Sequence, residues 1–206
     1  STPKPSSAAS DVYKRQSSHL SNRHDLQLRQ RAAKVVPGGM TGHLNAAGLP
    51  AGYPQFFERG EGCRVWDVDG NEYIDFMCSW GPNLLGHHHP VVDEAARKQQ
   101  ALGDCLDGPT ARFVELAERF VARSAHADWV LFQKNGTDAT TVCLMVARAA
   151  TGKRKVLVAT KAYHGADPWC TPIPQGITPE DRAHLIHYTY NDIGSLEAAV
   201  AQAGTD

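Results

Sequence analysis

The sequence has no C-x-x-C pair. Its five cysteines (Cys63, Cys78, Cys105, Cys143 and Cys170) are odd in number and widely scattered. That pattern excludes a disulfide framework and a zinc knuckle, and it fits reduced thiols in a cytoplasmic protein. No apolar run is long enough to span a bilayer, and no charged segment followed by an apolar one marks a secretory leader, so no membrane partner is expected. Neither sign of charge is in excess. The 21 Lys and Arg against 22 Asp and Glu are interspersed without a basic stripe, which excludes an electrostatic partnership with nucleic acid. No internal repeat is visible. What is present is 42% apolar residues over 206 positions, enough for one good-sized core or two small ones.

Residues 1–21 are rich in Ser, Pro and Ala, begin without Met and lack hydrophobic periodicity, so a disordered tail is expected there. Within it, Asp11-Val12-Tyr13-Lys14-Arg15-Gln16 resembles the translated end of a transposase adaptor used for sequencing libraries, which makes the tail a cloning or sequencing scar. Residues 22–104 then read as a first region. A loosely helical stretch at 24–36 stops at Pro37-Gly38-Gly39. Three extended runs follow (Phe56-Phe57-Glu58-Arg59, Cys63-Arg64-Val65-Trp66-Asp67 and Glu72-Tyr73-Ile74-Asp75-Phe76), separated by Arg59-Gly60-Glu61-Gly62 and by Asp67-Val68-Asp69-Gly70-Asn71. Asp-Gly between alternating apolar residues is a hairpin signal, so the runs form a small antiparallel meander. A loop through Ser79-Trp80 and His87-His88-His89 leads to a helix opened by Pro90.

Residues 105–206 read as a second, incomplete α/β region. Phe113, Leu116, Ala117 and Phe120 give one helix an apolar stripe. Val130-Leu131-Phe132-Gln133 reads as a buried strand that breaks at Asn135-Gly136, where a positive φ is available, and enters a helix capped by Thr137 or Asp138 and ending at Thr151-Gly152. Further strands are expected at 155–159 and 184–188, and a last helix at 195–203. Strand, helix and strand within so short a span imply a βαβ unit of a parallel sheet.

A helix start carries unpaired N–H groups and the positive end of the macrodipole, so the corner at Asn135, Gly136 and Thr137 is a candidate phosphate site. An ordinary strand-turn-helix corner has the same local sequence. Tyr163-His164-Gly165 follows the next strand at its C-terminal end, the edge where ligands of parallel sheets gather. A planar ligand bearing a phosphate suits an aromatic ring and an anion corner at one crevice. Two motifs are set aside. Thr151-Gly152-Lys153 lacks the earlier glycine and the metal-binding hydroxyl of a P-loop. The side chains of His87, His88 and His89 diverge, which suits loop histidines better than a tetrahedral metal site.

Several segments occur together in the order and spacing of a known family: Trp66-Asp67-Val68-Asp69-Gly70-Asn71-Glu72-Tyr73-Ile74-Asp75, Ser79-Trp80-Gly81-Pro82, Gly86-His87-His88-His89-Pro90, Asn135-Gly136-Thr137-Asp138-Ala139, Ala147-Arg148-Ala149-Ala150-Thr151-Gly152-Lys153 and Tyr163-His164-Gly165. The sequence from about Val35 onward resembles the class III aminotransferases, closest to the glutamate-1-semialdehyde aminomutases. The resemblance implies the N-terminal part of a fold type I enzyme, with a small meander and an incomplete three-layer α/β/α cofactor domain, and pyridoxal 5'-phosphate as cofactor. It further implies a small-molecule amino substrate (an amino acid or amino ketone) and a homodimer.

By the same resemblance Gly136 and Thr137 bind the cofactor phosphate, Asn135 belongs to the same cofactor-binding turn, Tyr163 stacks on the ring beside His164 and Gly165, and Ser79 and Trp80 approach the substrate. The family's Schiff-base lysine and ring-nitrogen aspartate are expected beyond Asp206. Lys134, Lys153, Lys155 and Lys161 do not match the lysine, so no catalytic residue is assigned and the chain as written is expected to be inactive. A non-catalytic module binding a phosphate ligand is the alternative. The sequence departs from the family where a carboxylate-gripping arginine is found, Asn45 and Gly42 occupying the two positions concerned.

Overall fold

The computed structural model describes residues 20–42 and 44–206. The expected tail and its scar hexapeptide, apart from Leu20 and Ser21, lie outside the described residues. The chain forms two compact units, one ending at Gly108 and the other comprising Pro109–Asp206.

The first unit is held by carboxylates. Helix α1 (Arg23–Val35) follows Asn22, whose side chain makes no cap. The cap comes from far along the chain. Asp69 accepts from the His24 and Asp25 N–H groups, both at 2.9 Å, and from the Ser21 hydroxyl at 3.1 Å. Desolvation at the helix start works against ionisation of Asp69, but these hydrogen bonds and the nearby His24 outweigh it and hold the carboxyl below its ordinary range. Asp25, 3% exposed, accepts in turn from the Gln55 and Phe56 N–H groups and from Arg29 Nε at 2.6 Å.

Strands β1 (Phe57–Glu61), β2 (Arg64–Asp67) and β3 (Glu72–Ile74) form the expected antiparallel meander in the order β1-β2-β3. One boundary differs from the sequence reading. Arg59, Gly60 and Glu61 lie inside β1, and the turn is made by Gly62, at φ +53, with Cys63. Gly60 is a strand residue because the His87 ring lies against it: a Cβ there would come within 2.6 Å of His87 Cγ. Asp67, 2% exposed, closes the β2–β3 connection by accepting from the Asp69 and Asn71 N–H groups, Asn71 Nδ2 and the Tyr73 hydroxyl. Burial and then the adjacent Asp67 push the Tyr73 phenol far above its ordinary range, so it remains a donor. Helix α2 (Pro90–Gln100) starts at Pro90 as expected.

In the second unit α3 (Ala111–Arg123) directs Phe113 and Phe120 at the Phe132 ring, with centroids 5.4 and 5.6 Å apart and edge-on geometry. Phe132 belongs to the stretch read from sequence as a buried strand. That reading is corrected: residues 130–133 join no ladder among the described residues, and Leu131 is 55% exposed. An extended segment becomes a strand only when a neighbour takes its N–H and C=O groups, and the one sheet of this unit lies elsewhere. Helix α4 (Gly136–Thr151) ends as expected at Gly152, left-handed at φ +69. Strands β4 (Val156–Ala159) and β5 (Leu185–Tyr188) pair in parallel, from Val156 opposite Leu185 to Ala159 opposite Tyr188. The parallel pair therefore spans the crossover of residues 160–184, in place of the expected strand-α4-strand unit. Helix α5 (Ile193–Ala203), capped by Asp192, packs on both strands, and the unit's core lies there in Val158, Ile186 and Ala199.

Replacing Asp67 with Ala would strand half-buried donors at Asn71 and Tyr73. We expect Asp67→Ala to lower unfolding free energy by on the order of 3 kcal/mol. Urea denaturation checks this; a loss well under 1 kcal/mol would mean that water replaces the carboxylate.

Candidate functional site

The first turn of α4 differs in detail from its sequence reading. Asn135 is the N-cap, its side-chain oxygen accepting from the Asp138 N–H at 3.0 Å and its amide nitrogen donating to Asp138 Oδ2 at 3.0 Å. The capping role expected of Thr137 or Asp138 thus falls to Asn135. The expected positive φ is also absent: Asn135 is extended at φ −151, and Gly136 is the first helical residue. The sharp turn is made by capping, not by a left-handed residue. With Asp138 N–H satisfied by the cap and Ala139 N–H by the Asn135 carbonyl, the Gly136 and Thr137 N–H groups have no partner among the described residues. A Cβ on Gly136 would meet no atom within 4 Å. Two adjacent donors at the positive end of a sixteen-residue helix are therefore left without a partner among the described residues.

The residues expected beside this turn are brought to it. Thr137 Oγ1 accepts from the Ala166 N–H at 3.1 Å, and Thr140 Oγ1 donates to the His164 carbonyl at 2.7 Å. Gly165, buried between them at φ +128, presses so closely on Thr137 that a Cβ would lie 2.6 Å from its hydroxyl oxygen. Tyr163 leads into this contact with its side chain 60% exposed. The His164 ring stacks on Trp169, centroids 6.1 Å apart at 19°. Trp169 Nε1 donates to Thr141 Oγ1, which donates to Asp167. Thr140, Thr141, Asp167 and Trp169 were not anticipated from sequence. The signal for them was the spacing of Thr137, Thr140 and Thr141 along one helical face.

Ser79 and Trp80 lie in the first unit, in a stretch where Cys78, Ser79 and Trp80 have φ values of 48, 52 and 60. Consecutive non-glycine residues in the left-handed region cost about 1 kcal/mol or more each and persist only when anchored. The anchor is Asp75, which accepts from the Met77 and Cys78 N–H groups at 2.9 Å and pairs with His87 Nε2 at 2.9 Å. Trp80 is presented to solvent at 73% exposure. The His87, His88 and His89 triplet divides as its geometry requires. His87 pairs with Asp75, His88 with Asp93, and His89 stands at the start of α2. Among the described residues no group of metal-ligating side chains is gathered, and no helix is long and apolar enough to cross a membrane.

The chain matches the aminotransferase class-III family model over residues 49–171. The chain belongs to the class-III aminotransferases. A Sphingopyxis macrogoltabida aminopentol aminotransferase is 51% identical over 84% of the chain and 41% of its own length. A Polaromonas naphthalenivorans glutamate-1-semialdehyde 2,1-aminomutase is 37% identical over 87% of the chain and 43% of its own. Among solved structures, the PLP internal aldimine form of the Sphingopyxis sp. MTA144 FumI protein superposes with a TM-score of 0.81 at 49% identity, over 86% of this chain and 43% of that one. An omega-transaminase from Sphaerobacter thermophilus superposes at 0.76 with 28% identity, over 86% and 44%. The chain thus spans about two-fifths of the length of these class-III relatives, and its fold is the N-terminal part of the fold type I transaminase fold.

Hydrogen bonds from Cys78 and then His87 hold the Asp75 carboxyl below its ordinary range. A depressed carboxyl stabilises the fold above its unfolded pKa of about 4 and loses that contribution as pH falls through its folded value. We therefore expect the 78–80 stretch to loosen below about pH 4, seen as a change in Trp80 fluorescence. In Asp75→Asn the acid transition should disappear; an unaltered transition would assign it to another group.

Proposed function

We propose that this chain forms the phosphate-cradling part of a pyridoxal-phosphate-dependent enzyme that transfers amino groups. The observation that carries the reading is the pair of unpartnered N–H groups at Gly136 and Thr137, beside a loop that presents Tyr163. Their fit to the cofactor is chemical as well as spatial. Two N–H donors at a helix start suit a phosphate dianion, and the open space at Gly136 leaves room for it. The Thr137 hydroxyl, which already accepts from Ala166, has its proton left to donate to a phosphate oxygen. Asn135 acts through its cap, keeping the turn rigid while its side chain stays occupied. Tyr163 covers the ring, and the His164 ring, stacked on Trp169, braces that loop. When bound, the cofactor supplies the electron sink that makes amino transfer feasible. The lysine and the ring-nitrogen carboxylate that this chemistry requires are expected from sequence outside this chain. The reading brings with it a homodimer, after the family, and a cytoplasmic location, in keeping with five free cysteines.

Borohydride treatment of the full-length protein incubated with pyridoxal phosphate should leave the pyridoxyl group covalently attached. Its absence would favour the non-catalytic binding module. In the same assay Thr137→Val removes a donor to a charged group, worth about 1.5–3 kcal/mol, so cofactor affinity should fall by on the order of tenfold or more. Unchanged affinity would count against Thr137 as a phosphate ligand.

The substrate is best read as lacking a carboxylate. No Lys or Arg occurs at residues 35–58 or 65–96, which include both loops expected to face substrate. Asn45 spends its side-chain oxygen capping the Ala46–Gly48 turn, and Gly42 is left-handed at φ +62, a conformation that disfavours arginine. Bidentate carboxylate recognition needs a guanidinium, so an amino ketone or a hydroxylated amine of the kind in the name of the Sphingopyxis relative suits these loops better than an amino acid. Competition between a hydroxylated amine and the corresponding amino acid tests it. The hydroxylated amine should have the higher kcat/KM, and the reverse order would require a cation from elsewhere.

A further inference from the structure

The loop bearing Tyr163 is fastened to the same helical turn whose first N–H groups are unpartnered, and the fastening straddles one residue. Thr140 Oγ1 donates to the carbonyl before Gly165, at 2.7 Å, and Thr137 Oγ1 accepts from the N–H after it, at 3.1 Å. Gly165 at φ +128 has no side chain to hold the backbone off, so the loop lies directly on the helix. A second tier repeats the arrangement one residue further along α4. Thr141 Oγ1 donates to Asp167 at 2.5 Å and accepts from Trp169 Nε1 at 2.9 Å, and the Trp169 ring is stacked on His164. The three threonines stand at i, i+3 and i+4, on one face of the helix. Helical N–H groups point along the axis while these hydroxyls bond to the loop beside it, so one turn of α4 addresses two things at once.

We propose that Thr140 is a positioning residue that fixes the place of the Tyr163 ring relative to the Gly136 and Thr137 N–H pair. This rests on the reading above, that a phosphate sits on that pair and an aromatic ring system lies against Tyr163. Thr137 has both duties, as phosphate donor and as one pin of the clasp. The Thr140 hydroxyl shares its proton between the His164 carbonyl of the loop and, at 2.9 Å, the Thr137 carbonyl of its own helix, and neither N–H of the pair is among its partners. It therefore acts on ring recognition through Tyr163 and leaves phosphate recognition alone, which separates it from a residue that merely stabilises the fold.

The test uses the full-length protein and two probes, pyridoxamine phosphate and inorganic phosphate, titrated by calorimetry against wild type, Thr140→Val, Thr140→Ser and Tyr163→Ala. Thr140→Val should weaken pyridoxamine phosphate by a few-fold to about tenfold, the worth of one neutral hydrogen bond, while inorganic phosphate affinity stays within about twofold. Thr140→Ser, which keeps the hydroxyl, should restore wild-type binding. Loss of both affinities in Thr140→Val, or of neither, overturns the proposal. If Thr140→Val does not fold, Thr140→Ala carries the same comparison. Tyr163→Ala separates the two levels. If it weakens pyridoxamine phosphate and Thr140→Val does not, the positioning role alone fails. If Tyr163→Ala changes nothing, the stacking reading fails and takes this inference with it.

Discussion

A buried carboxylate persists only when hydrogen-bond donors replace the water it has lost, and the first unit is built around that requirement. Asp25, Asp67 and Asp69 each collect backbone N–H groups that would otherwise be orphans: those opening α1, those entering the meander and those in the hairpin turn. Their partners lie 44 and 45 residues away for Asp69, and 30 and 31 for Asp25. The helix and the meander are thereby one cooperative piece although neither buries a large apolar side chain. Directional bonds of this kind specify geometry more tightly than apolar contact does, which suits a unit that must hold Cys78, Ser79 and Trp80 in strained conformations through Asp75.

The second unit works by the opposite economy, with a small apolar core at β4, β5 and α5 and a polar seam at the start of α4. That seam is where the family likeness and the local chemistry meet. The cap by Asn135 consumes one of the early N–H groups, and two are left over. The unpartnered donors are thus the remainder of a capping arrangement, and hydroxyls on the same helix bond to the loop beside them.

Much of this was legible in the sequence because it is local. Pro90 and Gly152 punctuate their helices, Asp69-Gly70 turns its hairpin, and the apolar stripe of α3 meets Phe132. The helix start at Asn135, Gly136 and Thr137 is legible, but with another residue as cap, since Asn, Thr and Asp all cap well and only geometry selects among them. Residues 130–133 misled because an apolar extended run looks the same whether or not a partner strand stands beside it. Asp25 and Asp69 escaped notice for the converse reason: a hydrogen bond to a backbone N–H tens of residues away has no sequence signature. Asp69 read as a turn residue and is also the cap of α1.

The threonine face of α4 has a thermodynamic corollary for the long crossover of residues 160–184. That segment contains little regular structure, yet Thr137, Thr140, Thr141 and Arg182 fasten it. Whatever binds at the helix start binds only when the turn is formed, and the formed turn is what holds the crossover. On the reading proposed above, ligand affinity and crossover order are therefore linked reciprocally. Part of the cofactor's binding free energy would then go into ordering a loop that extends well past it.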